Sequence, residues 1–338
     1  MQEAQFYLKL DDKSIECRLC SHFCLISNNN TGICSARLNL DGTLYSLVYG
    51  FPMAINIDPI EKKPLFHYFP GTLTLSLGTY GCNLGCLNCQ NWDISQEKNI
   101  KNKVKNLKFI EPKKIVKMAA AHSCPSISYT YNEPTIFTEY ALDIMKIARD
   151  KGLKNIWVTN GFMSNECLKS ILPYLDAANI DLKSMDDNFY KKNCSAKIKP
   201  VLENILFLKK EKVHIEITTL VIHELSDEPE MLVKIANFIS TELGDKTPWH
   251  ISKFSPEISW QLKNIPPAKD DLIDTAYKIG QNAGLKYVYS GNIHTLEKEN
   301  TFCPQCKQLA IERIGYEINR KDNHGSCAKC GQSLDITL

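Results

Sequence analysis

From residue 72 onward, the apolar and polar positions fall into short strand-like runs that alternate with amphipathic stretches. Thr72 to Leu77 has the period-two pattern of a strand. Lys113 to His122 reads as a helix, and Ile127 to Tyr131 as a strand. Pro134 suits the first turn of a helix, where its missing N–H is not needed. Phe137, Tyr140, Ala141, Ile144, Ile147 and Ala148 share one face of that helix, and Gly152 ends it. Strands then follow at Ile156 to Val158, Ala178 to Leu182, Val213 to Ile222, His250 to Phe254 and Tyr287 to Tyr289. Helices fall between them at Cys167 to Leu175, Asn204 to Lys210, Glu230 to Leu243 and Asp271 to Ala283. Such β–α repeats predict an α/β fold with a parallel sheet and crossover helices. The expected form is a partial, open barrel of the (β/α)6 type, with reactive residues at the C-terminal ends of its strands. The segment Leu44 to Asn56 is apolar and β-rich, with breaks at Gly50 and Pro52. We expect it to pack an N-terminal module (residues 1–70) against the barrel (71–295), with a C-terminal module (296–338) beyond.

Composition narrows the class. The 338 residues are 43% hydrophobic and 23% charged, as in ordinary globular proteins, and the net charge of +2 implies no polyanion or nucleic-acid partner. Met1 to Leu10 lacks the apolar core of a signal peptide, and no apolar run is long enough to span a membrane, so a cytoplasmic location is expected. The chain has 14 cysteines, which without a secretory signal read as metal or cluster ligands rather than disulfides.

Those cysteines form three blocks. Cys82, Cys86 and Cys89 are spaced C-x3-C-x2-C in one loop directly after the first barrel strand. A zinc knuckle would want a fourth ligand, and the loop holds no further Cys or His. Iron–sulfur clusters are normally held by one thiolate per iron. Three thiolates therefore suggest a [4Fe–4S] cluster with one iron left open to a ligand that is also a reactant. Cys303, Cys306, Cys327 and Cys330 form paired C-x2-C knuckles, a zinc-ribbon signal, with a rubredoxin-like iron site as the alternative. Such a closed site is structural, and the ribbon is expected to stabilise its own segment only. Cys17, Cys20, Cys24 and Cys34 form the third block, with His22 among them. Zinc and an auxiliary Fe–S cluster are both chemically admissible there. Cys124, Cys167 and Cys194 stand alone and read as buried apolar thiols.

Several polar residues fall where the barrel rule puts chemistry. Asn132 and Glu133 close the second strand, Asn160 the third, and Asp181 and Lys183 the fourth. His250 lies in a later strand, and Gly291 and Asn292 follow the last. Singly each has a structural explanation: a helix cap, a turn, an ion pair or a packed histidine. Their joint placement points to a site.

The chain resembles the radical SAM enzymes of the AmmeMemoRadiSam system, which are related to the activating enzyme of pyruvate formate-lyase. The resemblance rests on the cysteine blocks and on Asp58 to Pro64, Gly78 to Leu84, Cys89 to Trp92 and Tyr129 to Pro134. It continues through Val158 to Gly161, Ile180 to Lys183, Trp249 to Ser252 and Tyr287 to Asn292. It implies reductive cleavage of S-adenosylmethionine (SAM) at the cluster, driven by an external electron donor. The resulting 5′-deoxyadenosyl radical would abstract hydrogen from an unidentified substrate, making the chain an oxidoreductase. Asn132 and Glu133 look like the motif that holds the SAM amine. Asn160 looks like the residue near the ribose and carboxylate. Asp181 and Lys183 resemble an Asp-x-Lys pair, with Lys183 near the SAM carboxylate. His250 would lie near the same pocket, as a catalytic residue with Lys183, and Tyr289 to Asn292 near the adenine. Protein partners of the Memo and AMMECR1 types follow from the same resemblance. Two positions depart from it. Asn88 stands where such loops carry an aromatic residue, and Val158 where activating enzymes carry an Asp at a cation site. Val158 ranks a glycyl-radical activase second, and a non-catalytic metal-bound scaffold ranks third.

Overall fold

The computed structural model describes residues 1–292 and 296–338. The expected boundary between barrel and ribbon, at 295, therefore falls outside the described residues. An eight-stranded sheet forms the centre, and its strands lie in chain order without a skip. Parallel strands run through Leu73–Gly78, Ser126–Tyr129, Lys154–Thr159, Ala177–Asp181, His214–Val221, Trp249–Lys253 and Val288–Gly291. Ala54–Pro59 adds an antiparallel strand at one edge. The helices between them are Pro112–Ala121, Thr138–Asp150, Asn165–Ile171, Ile198–Lys210, Pro229–Phe238 and Asp270–Asn282. The parallel α/β architecture is as the periodicity predicts. The helix expected from Asn204 starts instead at Ile198, because Pro200 sits in a first turn that needs no N–H from it. Asp187 Oδ1 accepts the Ile198 N–H there (3.0 Å). Among the described residues, no helix is long and apolar enough to cross a membrane.

Period-two alternation gives the sheet two different faces. Leu75, Leu77, Ile127, Trp157, Ile180, Ile217 and Ile251 belong to the main core, together with helix residues such as Ile115, Ile144, Leu168, Val201, Ile235 and Ile273. Intervening positions are polar yet buried: Thr74, Ser76, Ser126, Ser128, Asn179, Glu216 and His250. Buried polar groups need partners, and the segment from Ile60 to Phe69 supplies many of them. Glu216 is 0% exposed. Its carboxylate accepts the N–H groups of Phe66 (3.0 Å) and His67 (2.8 Å), and pairs with Nε2 of His214 (3.0 Å) and His250 (2.6 Å). Burial alone would raise the pKa of this carboxyl, but its donors hold it well below the usual range. Asn179 Nδ2 donates to Pro64 O (2.8 Å). Ile60, Leu65 and Tyr68 pack on Ile156 and Ala177, so the segment plugs this face of the sheet.

The C-terminal module clamps the plug from outside. Arg313, 1% exposed, donates to Phe66 O (3.0 Å), Glu299 O (2.8 Å) and Thr301 Oγ1 (2.8 Å), and stacks on the Phe66 ring. His67 Nδ1 donates to Leu334 O (3.1 Å), and Nε2 accepts from the Tyr289 hydroxyl (2.6 Å). Burial pushes His67 down to about 4, so the ring is neutral. Thr337 N–H donates to His67 O (2.8 Å) and Phe69 N–H to Thr337 O (2.8 Å). The C-terminal module is thus bonded to the segment that plugs the sheet, beyond the purely local contacts expected of it. Of two small three-stranded sheets at the N-terminus, the one that holds Arg37 is fixed to the barrel by a buried bidentate pair, Arg37–Glu139 (2.7 and 2.6 Å).

Replacing Glu216 with Ala leaves the Phe66 and His67 N–H groups without acceptors. At about 1–3 kcal/mol for each unpaired donor, unfolding free energy should drop by about 2–6 kcal/mol in chemical denaturation. Because the folded pKa is depressed, the Glu216 contribution is complete above the ordinary value of 4.5 and is lost as pH falls through the lower folded value. A variant as stable as the wild type at neutral pH would contradict this anchor.

Candidate active site

The thiol loop begins where the first parallel strand ends, and hydrogen bonds from several elements shape it around the buried Leu84. Gly78 allows close approach of the second strand, since a Cβ there would meet Thr130 O at 2.6 Å. Gly81 has φ +94°, and its Cβ would meet Cys34 O at 2.6 Å. Asn132 Nδ2 donates to Gly81 O (2.6 Å), and its Oδ1 accepts Thr79 N–H (3.2 Å). Leu84 N–H points at Cys82 Sγ (3.4 Å), and Ser95 Oγ lies 3.1 Å from Cys89 Sγ. Gln96 Nε2 holds Leu84 O (3.0 Å). Trp260 N–H donates to Cys89 O (3.0 Å) and Gln261 N–H to Leu87 O (2.9 Å). Asn83 is buried. Its Oδ1 accepts from Asn160 Nδ2 (2.9 Å), and its carbonyl accepts from His22 Nε2 (2.7 Å).

Strand ends bring charge to this loop. Glu133 is 1% exposed. Its Oε1 accepts from Thr135 N (3.1 Å), Thr135 Oγ1 (2.5 Å) and Thr159 Oγ1 (2.8 Å), while Oε2 accepts from Asn160 N–H (2.8 Å). Burial raises the Glu133 pKa against these donors. Lys183 Nζ lies 2.6 Å from Asp181 Oδ2. Burial pulls Lys183 down, but Asp181, Cys86 and Cys194 together keep it well above the usual lysine value. Half-buried thiols with a backbone N–H at Cys82, a serine hydroxyl at Cys89 and one ammonium beside them suit a cluster whose thiolates are anionic.

The remaining predicted residues are spread out. His250, 4% exposed, has Nε2 on Glu216, its ring stacked on Tyr289 (5.3 Å) and the Phe66 ring edge-on (4.7 Å). This packing accounts for His250 within the plug. The Tyr289 hydroxyl bonds His67 and Thr301. Gly291 closes the last strand, where a Cβ would be in ordinary contact with Ser252 Oγ (3.8 Å), and Asn292 Nδ2 reaches Lys253 O (3.3 Å). Cys303 and Cys330 Sγ are 3.6 Å apart, as are Cys306 and Cys327, and all four lie within 4.8 Å of one another. A single tetrahedral ion with sulfurs at about 2.3 Å needs sulfur separations of about 3.8 Å.

Other residues at the site carry no motif. Cys194, isolated in sequence, lies within hydrogen-bond reach of the Cys86 thiol. The turn Tyr190–Cys194 docks on the loop, with Gly85 N–H on Cys194 O (3.0 Å) and Leu87 N–H on Asn193 O (2.9 Å). Asn193 Nδ2 also holds Asn88 Oδ1 (2.8 Å), the position that departs from the aromatic pattern. So a fourth thiol does stand beside the loop, and no sequence spacing announces it. Beneath the second strand end, the Tyr131 hydroxyl (2.6 Å) and Lys63 Nζ (2.7 Å) meet on Asp58 Oδ2. Burial lowers Lys63 to about 8, and Lys63, Tyr131 and Lys62 outweigh burial to hold Asp58 well below the carboxylate range.

Comparison with known proteins gives this arrangement its class. A sequence profile of the Radical SAM superfamily matches residues 76–236, from the first parallel strand through the Pro229–Phe238 helix. An uncharacterized protein of Methanocaldococcus jannaschii is 42% identical over 341 residues, covering 100% of both chains. The chain belongs to the radical SAM superfamily, whose members are enzymes of radical chemistry. It is related there to the activating enzymes of glycyl-radical enzymes. The pyruvate formate-lyase-activating enzyme of Clostridium pasteurianum is 24% identical over 198 residues, covering 55% of this chain and 80% of that one. The (2S)-3-sulfopropanediol dehydratase activating enzyme of Klebsiella oxytoca is 26% identical over 120 residues, covering 36% and 38%. SuiB of Streptococcus suis, in its SAM-bound crystal structure, superposes with a TM-score of 0.50 at 13% identity, over 68% of this chain and 55% of that one. That likeness supports the fold alone.

Cys194→Ala separates the two ways of ligating the loop cluster. With Cys82, Cys86 and Cys89 as its complete protein ligand set, anaerobically reconstituted Cys194→Ala keeps the wild-type iron content, and SAM still changes its EPR spectrum. Loss of one cluster's iron would make Cys194 a fourth ligand.

Proposed function

We propose that Cys82, Cys86 and Cys89 hold a [4Fe–4S] cluster with one iron open to SAM, at the C-terminal mouth of the parallel sheet. The carrying observation is that one loop's three half-buried thiols meet Glu133, Asn160 and Lys183 from three successive strand ends. Bound there, cluster and SAM supply a 5′-deoxyadenosyl radical on one-electron reduction, and the protein supplies position and water exclusion. Glu133 Oε2 has acceptor capacity left after Asn160 N–H, which suits the SAM ammonium. Lys183 gives its charge to the SAM carboxylate, and Asp181 orients it. Asn132 and Asn160 fix the loop through Gly81 and Asn83. The resemblance of the Tyr289 to Asn292 segment supports an adenine contact at Gly291 and Asn292.

The radical abstracts hydrogen from a substrate that no residue here identifies. Protein partners of the Memo and AMMECR1 types are supported by the AmmeMemoRadiSam-like motif set alone. The relationship to activating enzymes supports a second reading, in which the hydrogen comes from a glycine of a partner protein. Sulfur separations of 3.6 Å at the ribbon support zinc there, as a structural ion.

Lys183→Ala and Glu133→Gln test the reading. Each removes one charge-assisted hydrogen bond, worth about 1.5–3 kcal/mol, so SAM affinity should fall by about one to two decades while iron content is kept. Unchanged affinity in both variants would overturn the assigned roles.

A further inference from the structure

The four N-terminal thiols differ from the ribbon in a way that bears on their metal. Among the described residues, the ribbon is the one group of three or more Cys, His, Asp or Glu whose ligand atoms lie within 4.8 Å of one another. Cys17, Cys20, Cys24 and Cys34 do not draw together so tightly, yet all four line one pocket with His22, Gly32, Arg37 and Asn83. Ligands of a cubane project from the corners of a cube and stand farther apart than ligands of a single ion. Four thiols that line one pocket at this wider spacing therefore suit a cluster better than zinc.

A second observation points to an anionic occupant. Arg37 is 0% exposed and lines the pocket. Its two terminal nitrogens are spent on Glu139, but its Nε has no partner. An orphaned buried guanidinium N–H is costly. A thiolate or sulfide in the pocket would accept it.

The pocket also abuts the active-site loop. Asn83 follows Cys82 in the chain, lines the pocket, and takes the His22 Nε2–H on its carbonyl at 2.7 Å. On the other side Gly81 has its backbone against Cys34 O, so closely that a Cβ would meet that oxygen at 2.6 Å. Cys20 forms a bridge with Met163, and Ser21 N–H donates to Phe162 O (3.3 Å), just past the Asn160 strand end. A redox-inert ion placed here could not carry charge to the loop.

We propose that Cys17, Cys20, Cys24 and Cys34 hold a second [4Fe–4S] cluster, ligated by all four thiolates, that passes electrons to the loop cluster. An external low-potential one-electron donor is oxidised and reduces this cluster. The cluster then gives the same electron to the loop cluster and returns to its oxidised form, with no bond made or broken. The assignment of the site stands on the pocket alone, while the relay rests on the reading of the loop given above.

The test uses the full chain, reconstituted anaerobically with iron and sulfide. The triple variant Cys82→Ala, Cys86→Ala, Cys89→Ala should retain about four iron and four sulfide, one cubane per four thiolates, with a reduced-state EPR signal that SAM does not alter. A triple variant holding zinc at this site and no iron overturns the proposal. If the loop reading alone were wrong, wild type and triple variant would carry the same iron, so the two failures are distinguishable. For the relay, Cys24→Ala/Cys34→Ala is mixed with a reduced [2Fe–2S] ferredoxin and followed by freeze-quench EPR. Reduction of the loop cluster should slow at least tenfold, and wild-type rates would overturn the relay. Should that variant fail to fold, wild type decides it. The SAM-insensitive signal must appear before the SAM-sensitive one, and the reverse order overturns the relay.

Discussion

The loop that carries three half-buried thiols seats Leu84 in the apolar core, and the whole site depends on how the rest of it is held. The holding is done by amide and backbone hydrogen bonds from elements far apart in the chain. Asn132 grips Gly81, Asn160 grips Asn83, Gln96 grips Leu84, and the 190–194 turn receives the Gly85 and Leu87 N–H groups. These donors converge because parallel strands all end at one edge, so side chains separated by tens of residues arrive together. Glu133 extends the same logic, since its carboxylate ties the second strand end to the third through Thr159 and Asn160.

The opposite end of the sheet is closed by a different device. An interior face lined with Thr, Ser, Asn and Glu cannot be left without partners, and the Ile60–Phe69 segment answers it with backbone groups aimed at Glu216 and Asn179. The C-terminal module then fixes that segment through Arg313, His67 and Thr337. The clamp makes the C-terminal module part of what holds the plug in place.

The strands and helices were legible because their periodicity is strong, and the strand-end residues because the β–α pattern says where each strand stops. The C-x3-C-x2-C loop was legible from spacing alone. What could not be read depends on contacts across long sequence separations. Glu216 is 150 residues from the Phe66 N–H it accepts. Cys194 has no partner cysteine nearby in sequence and reaches Cys86 only because its turn docks on the loop. His250 looked like a pocket residue because it lies in a barrel strand, but Glu216 shares its sheet face and takes its Nε2. The pairing of Arg37 with Glu139, and hence its unpartnered Nε, is likewise invisible in either local segment.

The central claim is that this chain reductively cleaves SAM at a cluster held by its loop. The most direct measurement is 5′-deoxyadenosine and methionine formed after anaerobic reconstitution and dithionite reduction, in the wild type and in the Cys82→Ala, Cys86→Ala, Cys89→Ala variant. The account predicts slow formation of both products by the wild type even without substrate, and none by the variant. Absence of both products from fully reconstituted, reduced wild type, or equal amounts from the variant, would contradict it.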